Sequence, residues 1–99
     1  MTKVRVSLVH QGVWSMSTLS MPLSLGYIKA TAYADPWIRS SADIRICTFR
    51  GSATASEIIH DLLAQDPPDV LGFSIFGWNL YRFAAVAEAY RQIKPDGWI

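Results

Sequence analysis

Residues 70–76 read Val-Leu-Gly-Phe-Ser-Ile-Phe, an almost unbroken apolar run. Such a run is typical of a strand that is buried on both faces of a parallel sheet. Residues 66–68, Asp-Pro-Pro, end the segment before it, and Asn79 after it is a residue that commonly caps a helix. The run therefore predicts a central strand with one helix before it and another after it.

Two more strands are predicted toward the amino end. Residues 4–10 and 43–49 alternate apolar and polar side chains over much of their length, which is the pattern of a strand. Between them we predict a helix from about Pro22 to about Ala34, because proline suits a first helical turn and Asp35-Pro36 stops the helix. Its expected packed face consists of Leu23, Ile28, Ala30, Thr31 and Ala34.

The remaining segments complete an alternation of strands and helices. Thr54 with Glu57 forms a capping-box pattern that starts a second helix, and a third is predicted from Asn79 to near Ile93. Strands separated by helices run parallel, with right-handed crossovers. We predict an α/β fold with an open parallel sheet, a flavodoxin-like (Rossmann-like) three-layer βαβ domain over residues 1–99. Because a fourth strand would begin near residue 97, the domain is expected to be truncated after the third helix.

Composition excludes several classes of function. The formal net charge is +1, from nine Lys or Arg residues against eight Asp or Glu residues, so there is no electrostatic case for nucleic acid or an anionic membrane. No stretch is apolar enough to span a membrane, and the strand directly after Met1 leaves no room for a signal peptide. The single cysteine, Cys47, cannot form an internal disulfide and is expected to be a buried thiol. We therefore expect a cytoplasmic protein.

The candidate site lies where the strands end. In an open parallel sheet, ligands bind beyond the carboxyl ends of the strands, which here are followed by residues 11–21, 50–53 and 76–79. Trp14, Met21, Phe76 and Trp78 are unusually apolar for such loops, which suggests a broad, flat and partly apolar partner. The alternative is that these residues seal the core or dock on a neighbouring domain.

Common catalytic motifs are missing from the sequence. There is no G-x-G-x-x-G, no G-x-x-x-x-G-K-[ST], and no pair of Cys or His residues with metal-ligand spacing. His10 ends the first strand at the candidate edge and is within reach of a ligand there, although a polar residue that simply ends a strand is the commoner case. No residue is predicted to be catalytic or to bind a metal.

Three segments resemble one family. Residues 22–28, Pro-Leu-Ser-Leu-Gly-Tyr-Ile, resemble the P-L-x-L-G-Y-L segment that opens the first helix of cobalamin-binding domains in radical S-adenosylmethionine enzymes. Residues 69–79, from Asp-Val-Leu-Gly to Gly-Trp-Asn, resemble that family's D-V-V-G-F-S-x-x-x-W-N, which ends the third strand. Residues 93–95 resemble its I-K-x-x-x-P turn, with the proline placed earlier. The resemblance covers nearly the whole chain.

The resemblance implies that cobalamin, a wide corrin ring with apolar faces and amide-bearing rims, is bound at the sheet edge. The aromatic residues of the loops would pack on the ring, Ser74 and Asn79 would hydrogen-bond its amides, and Gly77 would let the main chain come close. Arg50 would be the charged group nearest the lower face of the ring. The full set of implied cofactor-binding residues is Gly12, Trp14, Met21, Leu25, Arg50, Ser74, Phe76, Gly77, Trp78 and Asn79.

Departures from related motifs refine what the resemblance implies. Residues 9–14, Val-His-Gln-Gly-Val-Trp, lack the D-x-H-x-x-G of cobalamin enzymes that ligate cobalt by histidine, so the cofactor would be base-off without a histidine ligand. No C-x-x-x-C-x-x-C is present, so a [4Fe-4S] cluster and S-adenosylmethionine would belong to the radical S-adenosylmethionine domain of a parent chain. That parent would be a methyltransferase, and the Trp-rich first loop and residues 76–79 resemble members that methylate tryptophan.

Two alternatives to this reading stay open. One is a non-catalytic α/β module whose aromatic loops dock on another domain. The other is a flavin-binding domain, although residues 15–20 only weakly imitate a flavin phosphate loop.

Overall fold

The computed structural model describes residues 2–13 and 23–99 of the chain. Its elements are β1 (Val4–Gln11), α1 (Leu23–Ala34), α2 (Pro36–Ser41), β2 (Ala42–Phe49), α3 (Ala55–Leu63), β3 (Val70–Phe73) and α4 (Leu80–Ile93). None of the helices in these two ranges has the length and apolar character needed to cross a membrane.

The three strands form one open parallel sheet in the order β2-β1-β3, which confirms the predicted α/β fold. Val9 in β1 aligns with Cys47 of β2 and with Phe73 of β3, and these three residues point to the same face. The prediction that β3 is central needs correction, because β1 is the middle strand of the three. On the far side of β3, Trp98 forms an isolated parallel bridge with Val70, at the place predicted for a fourth strand.

The core lies between one face of the sheet and the helix pair α3 and α4. The alternation of β1 places Val9 on this face, and the helical spacing of Phe83, Val86 and Tyr90 turns one side of α4 toward it. The fully or nearly fully buried cluster comprises Val9, Ala53, Ile58, Leu62, Leu63, Leu71, Phe83, Val86 and Tyr90. The other face of the sheet is less well covered, since Val4 is 45% exposed.

The predicted packed face of α1 was wrong. Leu23 and Ile28 are 66% and 53% exposed, and Leu25 is the buried residue of the helix. The reason is that, within the described residues, α1 packs mainly against the edge strand β2 and the short α2, so one narrow side of it is covered. Tyr33 makes the polar contact with β2, where its hydroxyl accepts a hydrogen bond from the N–H of Ile44 at 2.7 Å.

At two places a capping side chain determines where a helix begins. Asp35 ends α1 as predicted, but its carboxylate also accepts a hydrogen bond from the N–H of Trp37 at 2.9 Å, which starts the unpredicted helix α2. Thr54 caps α3 as predicted, by accepting from the N–H of Glu57 at 3.2 Å. The Glu57 carboxylate does not return to the cap and instead bonds Arg50 at 3.1 Å.

Charged residues tie together the amino edge of the sheet, where the strands begin. The N–H of Arg5 donates to the Asp69 carboxylate at 2.9 Å, and the Arg5 guanidinium bonds the Asp66 carboxylate and the carbonyl of Pro67. Lys94 lies 3.5 Å from the same Asp69 carboxylate. The Arg5 N–H, more than any other group, holds the pKa of Asp69 below its ordinary value.

The buried side chain of Tyr90 also stabilises the amino edge of the sheet. Its side chain is fully buried, and its hydroxyl donates to the carbonyl of Pro68 at 2.7 Å. Gly97 lies directly against this ring, so that a Cβ added there would sit 2.1 Å from the Tyr90 hydroxyl oxygen. The turn at residues 94–97 therefore depends on the absence of a side chain at Gly97.

Candidate functional site

The carboxyl ends of the three strands meet at one edge, as the parallel sheet requires. The described parts of this edge are residues 10–13 at the end of β1, residues 49–53 at the end of β2 and residues 74–79 after β3. Trp14 and Met21, two of the predicted site residues, lie outside the described residues. The other eight are placed below.

Phe76 and Trp78 form a stacked pair on the surface, which we call the aromatic platform. Their ring centroids are 4.5 Å apart and their planes differ by only 3°. Phe76 is 41% and Trp78 45% exposed, so the pair presents a sizeable apolar surface to solvent. The ring of His10 meets Phe76 edge-on, at 6.3 Å between centroids and 89° between planes. The platform is thus an ordered arrangement of rings at the site predicted from the sequence.

Asn79 holds the loop that carries the platform. It is fully buried; its amide oxygen accepts from the N–H of Phe76 at 2.8 Å, and its amide nitrogen donates to the carbonyls of Ser74 and Gln11 at 3.1 and 3.2 Å. Although Asn79 occupies the cap position of α4, its side chain makes no capping hydrogen bond. These bonds also end β3 at Phe73, earlier than predicted, because they bend the chain after Ser74. We therefore assign Asn79 a positioning role in this conformation.

Gln11 joins all three strand ends and was not among the predicted site residues. Its side-chain nitrogen donates to the carbonyls of Arg50 and Ala53, both at 3.0 Å, which fixes the turn after β2. Its main-chain carbonyl accepts from the indole N–H of Trp78 at 2.9 Å, which fixes the platform. The sequence signal was a glutamine at the end of a predicted strand, since an amide that becomes buried there must find hydrogen-bond partners.

The remaining predicted residues differ in burial and in their partners. Gly12 is buried and its N–H donates to the carbonyl of Phe49 at 3.3 Å. Gly77 is exposed with open space around it, beside the platform. Leu25 is buried inside α1, and Arg50 is exposed and turned toward α3 by its pairing with Glu57.

His10 has an unusual environment for a surface-edge histidine. Its Nδ1 is buried and has no hydrogen-bond partner among the described residues. Burial lowers the pKa of His10 below its ordinary value of 6.5, so the imidazole is neutral at pH 7. The side-chain oxygen of Gln11 is also buried, and it too has no hydrogen-bond partner among the described residues. Polar groups of this kind normally have partners, so they mark a place where a ligand group can be accommodated.

Metal ligands do not cluster in the part of the chain that the structure describes. Residues 2–13 and 23–99 contain no group of three or more His, Cys, Asp or Glu side chains placed to hold a metal ion. Cys47 is half-buried and free.

Neither the protein-family models nor the curated proteins contain a match to this chain.

Proposed function

We propose that this chain binds cobalamin at the carboxyl edge of its sheet, as part of a domain that serves a radical S-adenosylmethionine methyltransferase. The observation that carries the proposal is the aromatic platform. The rings of Phe76 and Trp78 are stacked in parallel planes and are 41% and 45% exposed, and the Trp78 indole is fixed by the Gln11 carbonyl. A wide ring with apolar faces is the kind of ligand that such a surface fits.

The platform offers useful binding energy. The exposed parts of the two rings amount to roughly 170 Å², and covering them stabilises a complex by about 4 kcal/mol before the costs of association. Because the platform loop is already held by Asn79, little conformational entropy is lost when the ligand binds.

The other groups of the edge also suit this ligand. The His10 Nδ1 is a buried polar atom without a hydrogen-bond partner among the described residues, and Ser74 follows the end of β3 beside it in the sheet register. The amides on the corrin rim provide hydrogen-bond donors and acceptors for such groups. Gly77 would allow the ring to approach the main chain, since nothing lies within 4 Å of the position of a Cβ there.

In this proposal the cofactor would be bound base-off, without a histidine ligand from this chain. Bound cobalamin would supply a cobalt centre for moving a methyl group from S-adenosylmethionine to a substrate, for which tryptophan is one candidate. The residues of this chain bind and orient the ring. The iron–sulfur cluster and S-adenosylmethionine would be held by a radical S-adenosylmethionine domain of the parent chain, in the cytoplasm.

A docking module is the second candidate function, and a specific observation favours it. Leu23, Tyr27 and Ile28 are 66%, 67% and 53% exposed on α1, which is an apolar surface that another domain could cover. This surface is made of other residues than the platform, so the two functions predict different effects of the same mutation.

The proposal is tested by titrating the full chain with hydroxocobalamin and following the absorption spectrum and co-elution on gel filtration. We expect binding by the wild type and at least a tenfold higher Kd for Trp78→Ala, because half of the platform is lost. Trp37→Ala is the matched control, since Trp37 is 74% exposed on α2, away from the strand ends, and its loss should leave the Kd unchanged. An unchanged spectrum and no retention of cobalamin by the wild type would refute the proposal.

A further inference from the structure

Three polar side chains form a row across the sheet just before its carboxyl edge. His10 of β1 aligns with Thr48 of β2. Ser74 continues the β1–β3 register by one residue, since its N–H donates to the carbonyl of Val9 at 2.9 Å. Residues that align in a parallel register point to the same face, so Thr48, His10 and Ser74 lie side by side. We call them the polar row.

The polar row lies at the end of an apolar stretch of this sheet face. One step earlier on that face, the aligned residues are Ile46, Leu8 and Gly72. All three members of the polar row are half-buried, so they are partly withdrawn from water. Withdrawing polar groups from water costs free energy unless they find partners, and His10 Nδ1 has none among the described residues.

Position links the row to the aromatic platform. The His10 ring meets the edge of Phe76, which is itself stacked on Trp78. A flat ligand lying on the platform would therefore bring the groups on its rim toward His10. The other members of the row, Ser74 and Thr48, lie on either side of His10 on the same sheet face, so the row extends the contact surface for the ligand from the end of β3 across to β2.

The chemistry of the row selects neutral ligand groups. Hydroxyls and a neutral imidazole can accept and donate hydrogen bonds, but they supply no charge to balance a carboxylate or a phosphate. Arg50, the cation predicted for this edge, is already paired with Glu57. A primary amide offers both an N–H donor and a carbonyl acceptor, which complements this set of side chains.

We propose that the polar row binds peripheral primary amides of the ligand, and that His10 Nδ1 accepts a hydrogen bond from an amide N–H. This inference rests on the proposed function and deepens it, because it adds His10 and Thr48 to the binding residues, beside Ser74, for which the family resemblance already implies an amide contact.

The test is a titration of the full chain with hydroxocobalamin and with cobalamin monocarboxylates, in which one peripheral amide is a carboxylate. For His10→Phe, which keeps a ring but removes the nitrogens, we expect a Kd for hydroxocobalamin about tenfold higher. His10→Gln keeps a hydrogen-bonding group and should stay within about threefold of the wild type. The spectrum of bound cobalamin should be the same in all of them, because His10 contacts an amide and not cobalt.

Matched control variants distinguish a specific effect of the polar row on binding from a general effect of mutation. His60 is the other histidine of the chain and is exposed on α3, so His60→Phe should leave the Kd unchanged. Thr48→Val and Ser74→Ala remove one hydroxyl each and should raise the Kd about threefold. If circular dichroism shows that His10→Phe does not fold, these two variants decide the question together with the monocarboxylates, at least one of which the wild type should bind about tenfold more weakly.

The outcomes distinguish the two proposals. If the wild type binds hydroxocobalamin and the row variants bind it equally well, the polar row is refuted and the proposed function survives. A spectrum that changes in His10→Phe would mean that His10 acts on cobalt, which overturns the amide contact. Failure of the wild type to bind overturns both.

Discussion

The amino and carboxyl edges of the sheet differ in how their polar groups are used. At the amino edge, the Arg5 N–H is bonded to the Asp69 carboxylate and the Tyr90 hydroxyl to the Pro68 carbonyl. At the carboxyl edge, the His10 Nδ1 is buried without a partner among the described residues, and the aromatic platform of Phe76 and Trp78 lies open to solvent.

The difference supports the proposal that the amino edge serves stability and that the carboxyl edge is left for a partner. Paired polar groups and a buried tyrosine stabilise the native state. Unpaired polar atoms and exposed rings cost free energy, and proteins tolerate such costs mainly at functional sites. Asn79 and Gln11 are the exceptions at the carboxyl edge, because their bonds hold the loops in place.

The largest expected effect is at the amino edge. Gly97→Ala would place a Cβ 2.1 Å from the hydroxyl oxygen of the fully buried Tyr90, so we expect about 3 kcal/mol less free energy of unfolding, measured in urea. Gly77→Ala is the matched change at the carboxyl edge. Because Gly77 has open space around it and no positive φ, its substitution should change stability by less than about 0.5 kcal/mol. Equal losses for the two variants would contradict the comparison.

Asn79→Ala should have the next largest effect, about 2 kcal/mol. It leaves the N–H of Phe76 and the carbonyls of Ser74 and Gln11 without their side-chain partner. The free energy of unfolding measures the loss. Quenching of Trp78 fluorescence by acrylamide, in a background where the other tryptophans are replaced, should increase because the loop loosens. Gln92→Ala, which removes an exposed amide from α4, is the control, and a loss as large as that of Asn79→Ala would argue against a positioning role.

A smaller effect is expected from pH, through His10. Because burial lowers the folded-state pKa of His10 below 6.5, the unfolded chain takes up the proton first as the pH falls. The contribution of neutral His10 to stability is therefore complete above pH 6.5 and is lost as the pH falls from 6.5 toward the folded-state pKa. Unfolding measured at pH 7.5 and pH 5.5 should show a larger loss for the wild type than for His10→Gln. Equal losses of stability between pH 7.5 and pH 5.5 in the wild type and in His10→Gln would show that His10 is not desolvated.

Arg50→Ala should have the smallest effect on stability. Arg50 and Glu57 are 60% and 51% exposed at their side chains, and exposed ion pairs contribute little. We expect a change below about 0.5 kcal/mol in urea unfolding, disappearing in 1 M salt. A loss above 1 kcal/mol would indicate that the turn after β2 depends on this pair as well as on Gln11.

The fold class could be predicted from the sequence because each strand is a short apolar or alternating run between helical segments. The start of α2 and the packed face of α1 could not be predicted from the sequence. The dipeptide Asp35-Pro36 ends one helix and starts another, and only the observed hydrogen bond to Trp37 reveals the second role. The packed face of α1 was assigned to Leu23 and its neighbours because apolar periodicity cannot tell how much of a helix the sheet covers.

The location of the candidate site at the carboxyl edge stays a prediction, while the structure shows how the residues of that edge are arranged. Phe76 and Trp78 stand out in the sequence because loops rarely carry large rings, and the structure places both on the surface. Asn79 was expected to contact a ligand, whereas its amide bonds depend on a bend after β3 that the sequence does not reveal. Gln11 was missed because the three carbonyls and the indole around it come from segments distant in the chain.

The most direct test of the central claim, that the carboxyl edge is the ligand edge, is a nuclear magnetic resonance titration of the ¹⁵N-labelled full chain with hydroxocobalamin. The account predicts that backbone amide signals of residues 10–12, 48 and 74–79 shift, while those of residues 5, 66, 69 and 94 stay in place. Shifts confined to the amino edge, or no shifts at a saturating concentration of hydroxocobalamin, would contradict it.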